Sequence, residues 1–223
     1  MKNKKIFIAC DTKSVKKVKK IIKETQTNKI KIGYKFGLEF FNSKNGRKFV
    51  SKLKNKIIFI DLKLHDIPNT VKSAVNALKD LNINYLTVHI ASGFKALKEI
   101  KKISGKIKIV GVTTLTSLDN KNLKEIGYSK SVKKLVIHQS NLARKANLDC
   151  LVVSPHEVKF VKKIFKKEII TPGIRFNSNI NDQKRVMTPK QAFKNGSDWL
   201  VVGRAVTKGN IKNNLKKLIN NIS

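Results

Sequence analysis

Ile57-Ile58-Phe59-Ile60-Asp61-Leu62-Lys63-Leu64-His65-Asp66-Ile67-Pro68-Asn69-Thr70 is the stretch on which the reading of the chain turns. Four apolar, β-favouring residues run into an acid, a base and a second acid, and the segment then meets a proline. On a strand successive side chains alternate faces, so Asp61 and Lys63 point the same way, roughly 6–7 Å apart along the backbone. Asp66 falls beyond the strand end, where it is placed to cap a helix that Pro68 suits in its first turn. A purely structural use would be an ion pair at the strand end plus that cap. Two carboxylates around one lysine at a buried strand end are a costly way to stabilise a fold, because desolvation offsets much of the attraction. The pattern therefore points to chemistry.

Outward from this stretch, short apolar runs alternate with amphipathic segments. Strands are expected at Ile6 to Cys10, Ile30 to Phe36, Ile57 to Lys63, Tyr85 to Ile90, Lys106 to Thr113, Asp149 to Ser154, Glu168 to Thr171 and Trp199 to Val202. Helical spacing follows Ser14, which is placed as a cap, and recurs at Gly46 to Leu53, from Val71 to Leu81, and at Gly93 to Lys102. Further helices are expected at Val132 to Ala146, Pro155 to Phe165 and Pro189 to Lys194, with Ile211, Leu215, Leu218 and Ile219 striping a closing one. Continuous apolar strands are those of a parallel sheet covered on both sides. Such a series of strand–helix units in 223 residues predicts an α/β fold, a single (β/α)8 TIM barrel over residues 1–223.

The polar residues keep one phase in this pattern. Asp11, Lys35, Asp61, Lys63, His89, Thr116, Pro172, Arg175, Gly203 and Arg204 all stand at or after the apolar part of a strand. In a barrel these positions share the C-terminal rim, where active sites of this fold lie. Lys31 competes with Lys35, since both are followed by x-Gly and both share a strand face. Four residues are about 13 Å of strand, so only Lys35 stands near the rim. Arg175, Gly203 and Arg204 follow strands 7 and 8, a frequent phosphate site in barrels, where glycine lets the backbone approach and arginine offers a fork of donors. The segment from Gly173 to Thr188 is about 16 residues without clear periodicity, a length typical of a binding loop or lid.

Composition bounds the alternatives. Hydrophobic residues make up 40% and charged residues 28%, as in ordinary globular domains. No apolar run reaches the ~20 residues of a membrane span, and the run after the basic N-terminus is too short for a signal peptide, so a cytoplasmic location is expected. Cys10 and Cys150 lack metal or redox spacing and are expected to be buried, reduced and structural. The net charge of +35 invites a nucleic-acid partner, but the lysines are spread along nearly every segment and are not interleaved with aromatics. His65 and His89 have no further ligand at metal spacing, so no metal is expected. Gly-x-Ser-x-Gly, Walker and dinucleotide-binding patterns are absent.

The stretch Asp61-Leu62-Lys63-Leu64-His65-Asp66-Ile67-Pro68-Asn69-Thr70 closely resembles the signature of the orotidine 5′-phosphate decarboxylase family. The resemblance extends through Ala9-Cys10-Asp11, Lys35-Phe36-Gly37, Val112-Thr113-Thr114-Leu115-Thr116-Ser117, Thr171-Pro172-Gly173-Ile174-Arg175, Asp182 to Pro189 and Val202-Gly203-Arg204, in the family's order. It implies decarboxylation of orotidine 5′-monophosphate to uridine 5′-monophosphate (UMP) without a cofactor. Lys63 resembles the proton donor, and Asp61, Asp66 and Lys35 complete a lysine–aspartate array. Asp11 and Lys35 resemble ribose ligands, Thr116 or Ser117 the reader of the base, and Gln183 the residue bridging phosphate and base. The resemblance also implies a homodimer with composite sites, in which Asp66, Ile67 and Thr70 serve the neighbouring subunit. Two rivals remain at this level. A magnesium-dependent sugar-phosphate enzyme of the same superfamily shares Asp-x-Lys-x-x-Asp, whereas a basic nucleic-acid-binding barrel would show steeply salt-dependent binding.

Overall fold

The computed structural model describes residues 4–176 and 186–222. Eight strands alternate with helices: β1 Lys5–Ala9, β2 Lys31–Gly37, β3 Ile57–Leu64, β4 Tyr85–His89, β5 Lys108–Val112, β6 Cys150–Val152, β7 Glu168–Thr171 and β8 Trp199–Val202. Each pairs in parallel with its sequence neighbour, and β8 closes on β1, giving the expected (β/α)8 barrel. Strand boundaries differ from expectation by a residue or two, with β3 running one residue longer and β5 and β6 falling short at both ends. Ile90, expected in β4, begins a 3-10 turn over Ile90–Ser92.

Parity along the strands separates two cores. Ile6, Ile8, Ile58, Ile60, Leu86, Leu151, Ile169 and Leu200 point outward and are covered by the surrounding helices. Phe7, Phe59, Tyr85, Val110, Cys150, Ile170 and Trp199 fill the barrel interior. Phe7 stacks on Trp199 at 4.0 Å between centroids and lies 4.9 Å from Phe59. Gly33 makes room for this layer, since a Cβ there would meet the Phe7 ring at 2.6 Å. The aromatic layer plugs the barrel beneath the rim.

Below the plug, at the N-terminal end, Glu168 on β7 gathers residues from four other strands. Its carboxylate accepts from Lys5 Nζ at 3.0 Å, Lys108 Nζ at 2.7 Å, Tyr85 Oη at 3.1 Å and Trp199 Nε1 at 3.3 Å. Burial alone would raise the Glu168 pKa, but hydrogen bonds from Lys108 and Lys5 outweigh it and hold it at about 2. Sequence spacing carries no sign of this cluster.

Ser14 caps helix Val15–Glu24 as expected, accepting from the Lys17 N–H. Helix Asn120–Glu125, not foreseen, begins with a reciprocal capping box between Asp119 and Asn122. Asp66 does not cap helix Pro68–Ala77. Ile67 occupies the cap position, and the Asp66 carboxylate accepts the Ile67 N–H at 2.7 Å. His156 lies in the turn before helix Val158–Ile164 rather than within it.

Candidate active site

The inward columns of β1, β2 and β3 change character one step above the aromatic plug. Going toward the C-terminal end, Phe7 and Ala9 lead to Asp11, Gly33 leads to Lys35, and Phe59 leads to Asp61. The charged groups therefore meet at the barrel mouth. They line a cavity of about 460 Å³, within the size range of small-ligand sites.

The charges form a chain. Lys35 Nζ lies 3.1 Å from Asp11 Oδ1 and 3.4 Å from Asp61 Oδ2, and Lys63 Nζ lies 2.9 Å from Asp61 Oδ1. Burial by itself would lower the Lys35 pKa, but the Asp61 and Asp11 carboxylates outweigh it and raise it. Burial would raise Asp61, yet Lys35 and Lys63, with hydrogen bonds from Lys63 and Thr87, hold it below the usual carboxylate range. Lys35 is thus a cation and Asp61 an anion across the neutral range. Gly37 borders this contact: a Cβ there would stand 3.3 Å from Lys35 Nζ and 3.4 Å from Asp11 Oδ1. Lys31 is exposed and pairs with Lys5 at the other end of β2, far from this chain.

The β3 backbone is irregular at the same place. Ile60 pairs with Leu86 and Leu64 with Val88, so three β3 residues face one β4 residue, Thr87. Lys63 takes φ +50°, a left-handed conformation costing a non-glycine residue about 1–3 kcal/mol. The expected alternation of Asp61 and Lys63 on a regular strand is therefore replaced by a bulge. Its end groups converge on one buried hydroxyl: Lys63 N–H donates to Thr87 Oγ1 at 2.8 Å, and that hydroxyl donates to Asp61 Oδ1 at 3.1 Å. Thr87 was not singled out in the sequence, where it reads as one β-branched residue of an apolar strand.

Across the barrel, Pro172, Gly173 and Arg175 follow β7, while Gly203 and Arg204 follow β8, and all five line the cavity. The ends of the β7 loop are tied by Arg175 N–H to the Met187 carbonyl at 3.1 Å and Met187 N–H to the Gly173 carbonyl at 3.2 Å. Gln183 lies outside the described residues. Thr116 lines the cavity, but Ser117 is exposed and does not. Val112, Thr114, Leu115, Val152 and Ser154 also line it and were not named from sequence as site residues. The buried Ser154 hydroxyl has no hydrogen-bond partner among the described residues.

Asp66, Ile67 and Thr70 are not brought into this cavity. All three are exposed, Ile67 at 66%, in the loop and helix that follow β3. His65 and His89 approach each other with ring centroids 5.3 Å apart. Burial, followed by His65 and Lys63, lowers the His89 pKa, against the opposing effect of Asp61. Cys10 and Cys150 are both buried and unpaired, and burial pushes the Cys10 thiol up to about 12. No helix among the described residues is long and apolar enough to cross a membrane.

Residues 4–217 match the model of the family described as "Orotidine 5′-phosphate decarboxylase / HUMPS family". The chain belongs to that family. It is 43% identical over 221 residues to the orotidine 5′-phosphate decarboxylase of Wolbachia sp. subsp. Brugia malayi (strain TRS), covering 96% of each chain. It is 40% identical over 213 residues to the enzyme of that name from Streptococcus gordonii (strain Challis), covering 92% of each. A crystal structure of orotidine 5′-phosphate decarboxylase from Lactobacillus acidophilus matches with a TM-score of 0.84 and 30% identity over 99% of each chain. The curated relatives carry the decarboxylase name, so within the family the chain groups with orotidine 5′-phosphate decarboxylases.

Proposed function

We propose that this chain decarboxylates orotidine 5′-monophosphate to UMP and carbon dioxide, the last step of de novo UMP synthesis, without a cofactor. The reading includes a single domain over residues 1–223, acting in the cytoplasm as a homodimer. The observation that carries it is the Asp11–Lys35–Asp61–Lys63 charge chain facing Arg175 and Arg204 across one cavity. The names of the relatives support it independently.

Each group has a part in the reaction. Breaking the bond from C6 to the carboxylate releases carbon dioxide and leaves an electron pair on C6 that the ring delocalises poorly. The Lys63 ammonium stabilises that charge as it forms and then transfers one proton to C6, completing UMP. Asp61 holds and aims the ammonium through its 2.9 Å contact, and Lys35 balances Asp61 from the other side. Asp11 and Lys35 bind the ribose hydroxyls, and Thr116 reads the base. Arg175, Gly203 and Arg204 hold the phosphate, remote from the bond that breaks, so that binding energy positions the reacting end. Asp66, Ile67 and Thr70 complete the site of the second subunit. Their exposure in one chain and their absence from the lining of its own cavity favour that arrangement.

A direct assay decides between this reading and a metal-dependent sugar-phosphate reaction on the same scaffold. Turnover of orotidine 5′-monophosphate retained in excess chelator is expected. Failure to turn that substrate over under any condition would remove the proposal.

A further inference from the structure

We infer that Thr87 is a positioning residue for the reaction, one hydroxyl that holds the β3 bulge shut and thereby aims the Lys63 ammonium. The inference rests on the reading of Lys63 as proton donor. Thr87 is fully buried on β4, directly above Tyr85 of the aromatic plug, and its side chain points to the barrel interior. It stands opposite all three bulged residues, Asp61, Leu62 and Lys63.

The hydroxyl is used twice. As acceptor it takes the Lys63 backbone N–H at 2.8 Å, and as donor it reaches Asp61 Oδ1 at 3.1 Å. The same Asp61 oxygen receives Lys63 Nζ at 2.9 Å. Backbone and side chain of Lys63 are thus tied to one small triangle made by Thr87 and Asp61. A left-handed lysine persists only where its surroundings over-determine it, and here the backbone N–H of that residue is satisfied by Thr87. Threonine suits the task because branching at Cβ restricts χ1, which fixes the hydroxyl direction. Without the hydroxyl a partly buried N–H loses its acceptor, and the bulge has reason to relax. Relaxation would move the ammonium away from C6 while leaving Arg175, Arg204 and the rest of the cavity in place.

The test compares Thr87→Val, which keeps the branched shape, with Thr87→Ser, which keeps the hydroxyl. Misplacing a reacting group by about 1 Å costs up to about 100-fold, so Thr87→Val is expected to lower kcat by about 10- to 100-fold. Affinity for UMP and KM should change by less than about threefold, because the lost interaction acts on the transition state. Thr87→Ser should restore kcat to within about threefold of the parent. Undiminished kcat in Thr87→Val overturns the inference, and so does an equal loss in both variants or a loss confined to KM. Thr87→Ala replaces Thr87→Val if the latter does not fold, with the same comparison to serine. Lys63→Ala, assayed alongside, separates the two levels. Full activity in Lys63→Ala removes the assignment of the proton donor, whereas an inactive Lys63→Ala beside a normal Thr87→Val removes only the role of Thr87.

Discussion

The Lys63 ammonium rests 2.9 Å from Asp61 Oδ1, two residues back on the same strand, across a backbone bulge rather than along a regular pleat. The other Asp61 oxygen lies 3.4 Å from Lys35 Nζ, so one buried carboxylate serves two cations. Each charge is costly alone, and each is retained because its neighbours hold it. The Lys63 side chain is 34% exposed against 13% for Asp61, which leaves the ammonium as the group presented to the cavity.

Lys63→Ala removes both the stabilising charge and the proton. Decarboxylation measured by loss of substrate absorbance should fall by at least about 10³-fold. UMP binding, followed by calorimetry, should persist because the phosphate and ribose contacts come from other strands. Activity within tenfold of the parent would contradict the assigned role.

Arg204 follows β8 at the rim, where the proposal places the phosphate. Loss of a charge-assisted hydrogen bond of about 1.5–3 kcal/mol predicts a KM about 10- to 100-fold higher for Arg204→Ala. A truncated substrate lacking the phosphate offers a second reading, since it should not distinguish the variant from its parent.

Glu168 links acid stability to the far end of the barrel. Its folded pKa of about 2 lies below the ordinary 4.5, so its contribution is complete above about pH 4.5 and is lost as pH falls toward 2. Denaturation midpoints measured from pH 7 to pH 3 should therefore fall less steeply for Glu168→Gln than for the parent. The variant should also be less stable at pH 7, with kcat unchanged where it is folded. A parallel acid limb in both proteins would show that the cluster does not carry the dependence.

Gly33→Ala places a Cβ 2.6 Å from the Phe7 ring, in the aromatic layer beneath the site. Overpacking of this kind costs about 1–3 kcal/mol, and a lower thermal midpoint is expected. An unchanged midpoint would mean that the Phe7–Trp199 stack shifts without penalty.

Mixing Lys63→Ala chains with Asp66→Ala chains tests the shared site. Random exchange makes about half of the dimers mixed, each with one intact site of two, so activity should return to about a quarter of the parent. Exchange without recovery would place Asp66 outside the neighbour's site.

The amino-acid sequence by itself determined the barrel and the rim on which its charges meet. Runs such as Ile57 to Ile60 and Trp199 to Val202 are apolar on both faces because helices cover one side and the interior the other, and the polar residues interrupt each run at the same phase. Local spacing also separated Lys35 from Lys31, since distance along a strand is set by the backbone. Only the tertiary structure decided what happens between strands. Barrel closure brings Lys5, Tyr85, Lys108 and Trp199 onto Glu168, groups far apart in the chain with no shared period. Register between β3 and β4 turns the Asp-x-Lys motif into a bulge, and that places the Thr87 hydroxyl between its two ends. Pairing register is a property of two strands at once, so no single stretch of sequence, including the one from Ile57 to Thr70, contains it.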